Sequence, residues 1–84
     1  MDELMVDGNA VAGLLQEIFA VEMTTAVGTC AGCGASEPIG AVHVFRSAGV
    51  VLRCPRCERV LVKIVTRGEQ TCVDGLGLSQ LVLN

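Results

Sequence analysis

Apolar positions along this chain follow two different periods. Across residues 7–23, DGNAVAGLLQEIFAVEM, Val11, Leu14, Leu15, Ile18 and Phe19 recur at the three- and four-residue steps that gather on one stripe of an α-helix. This predicts a helix over 7–23, with Asp7 or Asn9 capping its start and Gly13 as a weak point that allows close packing. Gln16, Glu17 and Glu22 are nearly its only polar residues, so the helix should be largely covered, by the rest of the chain or by another.

From residue 24 the period shortens to that of strands. TTAVGT, 24–29, is rich in β-branched residues, and GAVHVFR and GVVLR flank SAG in a hairpin from 40 to 53. ERVLVKIVT, 58–66, sets Val60, Val62 and Ile64 on one face and Arg59, Leu61, Lys63 and Val65 on the other. RGEQ then turns the chain into TCVD, and GLGLSQLVLN reads as a turn and a final strand. The expected class is α+β: an antiparallel sheet over 24–84 with one N-terminal helix packed across it, in a single domain of 84 residues that is too short for a second core.

Composition sharpens this. With two Phe, no Tyr and no Trp, the core must be built from smaller aliphatic side chains, and a scaffold of this size then calls on a metal or on disulfides. No basic segment leads into an apolar run of the secretory kind, and no apolar run approaches the roughly 20 residues of a membrane span. The expected location is therefore the cytoplasm, with no membrane association. There thiols stay reduced, and paired cysteines serve as metal ligands or redox centres.

Cys30 and Cys33 bracket AG, Cys54 and Cys57 bracket PR, and 20 residues separate the pairs. Two residues between thiolates let the backbone wrap so that both sulfurs reach one ion at about 2.3 Å, and a second such pair completes a tetrahedron. Gly34 suits the positive φ that ends such a turn, whereas Glu58 in the equivalent place makes the second turn look off pattern. A thioredoxin-type dithiol would need a helix directly after one of the pairs, and strand-like sequence follows both. Four thiolates with no open position predict structural Zn²⁺, with Cys30, Cys33, Cys54 and Cys57 as its ligands. Iron is the rival ion. Cys72, in QTCVD, reads as a small buried hydrophobe rather than a fifth ligand, and His43, in AVHVF, as a structural or surface histidine.

These cysteine pairs resemble those of the zinc-ribbon and treble-clef superfamily over about 24–66. CPRC with an upstream Cys-x-x-Cys also resembles rubredoxin, an iron electron carrier, but that family surrounds its iron with packed aromatics and this chain has almost none. The order DGNA, helix, CAGCG, RCPRC and final hairpin resembles, over nearly the whole chain, a family of short actinobacterial zinc-ribbon proteins with no established activity. That resemblance implies a fold and four metal ligands, and no reaction.

Three function classes can then be weighed. There is no Ser/His/Asp set, no phosphate-binding glycine loop and no carboxylate pairing, so neither an enzyme nor a small-molecule substrate is expected. All six Lys and Arg lie between Arg46 and Arg67, which makes a nucleic-acid-binding zinc ribbon of the transcription or translation machinery the runner-up. Against it stand a net charge of −3, the further negative charge of a zinc-tetrathiolate, and the lack of aromatic residues to stack on bases. Arg53, Arg56 and Arg59 are expected instead to offset thiolate charge. Apolar residues make up 51% of the chain, more than it can hide alone, which favours a protein-interaction module that binds a protein partner or forms a homodimer through its helix.

Overall fold

Residues 5–46 and 49–83 are described by the computed structural model. The chain enters as a short strand, β1 (Met5–Asp7), antiparallel to β4 (His43–Arg46) with Val6 opposite Val44. Asp7 then accepts a hydrogen bond from the Ala10 amide at 3.3 Å and caps a 3₁₀ turn, Gly8–Val11, which runs into α1 (Ala12–Phe19).

The helix is shorter than the 7–23 expected. Gly8 lies against the backbone of Ile39, where a Cβ would run into the Ile39 carbonyl, and this contact accompanies the tighter 3₁₀ start. At the other end Ala20 adopts φ 61 and its amide caps Gln16. Beyond it, the Glu22 carboxylate accepts from both the amide and the hydroxyl of Thr24 at 2.7 Å, a local turn that competes with another helical turn. Met23 therefore reaches the core from an irregular segment.

Two antiparallel sheets form where one was expected. The larger has the order β1-β4-β5-β6-β7, with β5 at Val50–Arg53, β6 at Val60–Arg67 and β7 at Gln70–Asp74. The smaller has the order β3-β2-β8, built from β2 (Val27–Cys30), β3 (Ser36–Pro38) and β8 (Leu78–Val82). The expected hairpin at 40–53 is present as β4 and β5, although Ser47 and Ala48 of its SAG turn lie outside the described residues. The final strand is also present. It leaves its neighbour β7 and pairs with β2 some fifty residues earlier.

A register shift breaks the expected alternation of β6. Leu52 faces Val62 and Arg53 faces Val60, so Leu61 is an extra residue, and both Leu61 and Val62 are buried. A second shift sets Thr29 against Gln80 and Cys30 against Leu78. Each bulge falls beside the first cysteine of a pair. One cluster of buried side chains, including Leu15, Ile39, Val44 and Leu52, joins the helix to both sheets and takes in Cys30 and Cys54.

Candidate metal centre

Both cysteine pairs lie in the turns of hairpins, β2 to β3 and β5 to β6, and the two turns share one backbone pattern. The Gly34 amide donates to the Cys30 carbonyl and the Glu58 amide to the Cys54 carbonyl, each at 2.9 Å. The Cys30 amide donates to the Ala35 carbonyl and the Cys54 amide to that of Arg59, again at 2.9 Å. In each turn a backbone amide two residues on, Gly32 or Arg56, points at the first sulfur from 3.3 Å.

The last residue of each turn needs positive φ: 79 at Gly34 and 67 at Glu58. Glu58 thus adopts the conformation its side chain disfavours, at a cost of about 1–2 kcal/mol, so the second turn is off pattern only in residue type. Its neighbours hold it there. Arg53 Nη1 donates to the Glu58 carbonyl at 2.8 Å, and the Glu58 carboxylate meets His43 Nδ1 at 3.1 Å. His43 is accordingly a structural partner of the turn and not part of the sulfur cluster.

The turns bring the four sulfurs within 4.8 Å of one another. Cys30 and Cys57 approach to 3.6 Å, as do Cys33 and Cys54, so each sulfur of one pair meets a sulfur of the other. A tetrahedron with bonds of about 2.3 Å to sulfur has edges of about 3.8 Å, so the spacing suits one four-coordinate ion. All four thiols are unbridged. Cys30 and Cys54 belong to the core while Cys33 and Cys57 are exposed, which places the cluster at the boundary of core and solvent. The residues present can hold a metal ion, and the donor set is soft sulfur throughout.

Local hydrogen bonds already bias these thiols. The Cys33 amide, helped by the Gly32 amide and by the Cys57 and Cys33 thiols, outweighs desolvation and holds the Cys30 thiol down at about 6. The Arg59 amide lowers Cys57, but desolvation and the sulfurs of Cys30, Cys33 and Cys54 overcome it and push that thiol up to about 11. The two shifts are opposite, so Cys30 favours the thiolate and Cys57 the thiol.

Three arginines frame the cluster, each with a different job. Arg53 holds the Glu58 carbonyl and lies 5.6 Å from the centre of the Phe45 ring. Arg56 reaches back to Glu37 on β3, Nε to Oε2 at 2.9 Å. Arg59 covers the first turn so closely that a Cβ on Gly32 would lie 2.6 Å from its Cδ. The Ala31 amide also donates to the Gly77 carbonyl at 2.8 Å, anchoring the turn before β8 against the first cysteine pair. Glu37 and Gly77 were not singled out from sequence, since nothing local to either residue signals a partner so far along the chain.

Cys72 departs from expectation. It lies on β7, all of whose residues are exposed, so it is neither buried nor a member of the cluster. β7 is an edge strand, and none of its residues joins the buried core. Among the described residues no helix is long and apolar enough to cross a membrane.

The model of DUF6510, described as a family of unknown function, matches residues 1–84. No curated protein and no solved structure matches the chain.

Proposed function

The chain belongs to DUF6510, a family of unknown function, and we propose that it is a small cytoplasmic zinc-ribbon protein whose structural Zn²⁺ braces a surface for binding another protein. The observation that carries this reading is the set of four cysteine sulfurs, of Cys30, Cys33, Cys54 and Cys57, at the join between the two sheets. A Zn²⁺ there would offset half the charge of four thiolates and cross-link the two hairpins, a role that needs no open coordination position and no reaction. Two Phe in the whole chain argue against the aromatic shell of a rubredoxin-like iron site.

The interaction half of the reading is supported by what the core leaves uncovered. Leu14, Ile18 and Phe19 of α1 are only half-buried and line a groove with Thr71 and Val73 of β7. The nucleic-acid alternative loses ground because Arg53 and Arg56 are bonded to acceptors of the protein itself and Arg59 is spread over Gly32. Elemental analysis of the purified chain, with its native mass, tests both halves: one zinc per chain and a mass above one chain are expected, and iron or a chain without metal would overturn the metal assignment.

A further inference from the structure

We propose that the occupant of this surface is a second copy of the chain, joined by antiparallel pairing of β7 with its own copy about Cys72. The proposal rests on the interaction reading above and names the partner it left open. Its starting point is the outer edge of β7. The two-residue loop Gly68-Glu69 closes the β6–β7 hairpin, with Gly68 at φ 59 and Arg67 opposite Gln70. A closing pair of this kind bonds internally, and antiparallel pairs alternate thereafter, so Gln70, Cys72 and Asp74 turn their amides and carbonyls toward β6. Those of Thr71 and Val73 point outward. No other described backbone group bonds to them.

This edge is suited to its own copy. In a two-fold pairing centred on Cys72, Thr71 faces the copy's Val73 and exchanges both backbone hydrogen bonds with it, and symmetry repeats the pair. Gln70 then lies opposite the copy's Asp74, an amide against a carboxylate, and no like charges oppose each other. Thr71 and Val73 share the face that lines the groove with Leu14, Ile18 and Phe19, together with Glu17 and Thr66, so each copy's strand extends the other's mixed polar and apolar groove. Val73, 41% exposed, is the apolar residue such pairing would cover.

The other edges are blunted. β1 and β3 have three residues each, β3 ends in Pro38, and β8 carries a register shift against β2. β7 has five residues, a regular ladder, no Lys and no Pro. Unprotected edges of this kind recruit strands.

The test uses the metal-loaded full chain and two variants at the same pair of exposed positions. T71E/V73E sets Glu against Glu twice across the two-fold, whereas T71K/V73E sets Lys against Glu twice. Both lose the Val73 side chain and differ only at position 71. Native mass by light scattering from micromolar to millimolar chain should give a dimer for wild type, a monomer for T71E/V73E and a recovered dimer for T71K/V73E, with metal content and circular dichroism unchanged. A wild-type monomer that carries its metal overturns the pairing and leaves the metal reading standing. A wild-type dimer that neither variant alters but Phe19→Asp dissociates also overturns it, while keeping an interaction surface on α1. Loss of metal in the wild type counts against the metal reading whatever the mass.

Discussion

Arg56 Nε donates to Glu37 Oε2 at 2.9 Å, so the turn holding the second cysteine pair is clipped to the strand leaving the first. Arg56 is 69% exposed and Glu37 21%, which leaves the pair open to water and salt, and such pairs contribute about 0.2–1 kcal/mol. Arg56→Ala and Glu37→Gln should each raise the rate of metal loss to a chelator slightly, and the double variant should lose no more than either alone. A double variant with fully additive losses would mean that the two residues act separately.

The sulfur cluster should behave as a single structural element. Structural zinc contributes apparent free energies of about 10–16 kcal/mol in small domains, so Cys54→Ser should abolish binding and unfold both hairpins. Cys72→Ser, on an exposed strand away from the cluster, should retain one zinc per chain. Acid should release the ion, because protons compete for the thiolates. Plasma emission analysis and far-ultraviolet circular dichroism after each change are the checks.

The two turn ends predict opposite responses to opposite changes. Gly34 has φ 79 and open space around a would-be Cβ, so Gly34→Ala should destabilise through backbone conformation alone, by about 1–2 kcal/mol. Glu58 already bears that cost at φ 67, and Glu58→Gly should relieve it while giving up the contact with His43. The expected result in chemical denaturation is a clear loss for the first variant and little change or a gain for the second.

Phe19 is half-buried against the core and in the groove beside Val73. Full burial of a Phe is worth about 1.5–3 kcal/mol, and this residue has only part of that to lose within its own chain. Phe19→Ala should therefore lower the melting temperature modestly and shift the native mass toward one chain. A large loss of stability at unchanged mass would assign Phe19 to the core alone.

The four-cysteine cluster was legible from spacing because its geometry is local. Two residues between cysteines fix each turn, and both turns form with matching bonds. The β4–β5 and β6–β7 hairpins were legible for the same reason, through SAG and RGEQ. The end of α1 was not: the apolar stripe continues to Met23, but Ala20 and the Glu22–Thr24 turn stop the helix without a glycine or proline to mark it. The exposure of Cys72 depended on whether anything covers its face of β7, which the strand's five residues do not encode. The second sheet was hidden too, because its third strand is supplied from far along the chain.

That distant strand gives the fold a history as well as a shape. The five-stranded sheet has all its pieces once Asp74 has been made, but Thr29 waits for Gln80 and Cys30 for Leu78. Because synthesis runs from N- to C-terminus, the first cysteine turn is made well before the strand that flanks its second side. Pairings that span so much sequence form slowly. For that interval Cys30 and Cys33 stand with one wall missing, and completion of the candidate metal site waits on β8 rather than on the cysteines themselves.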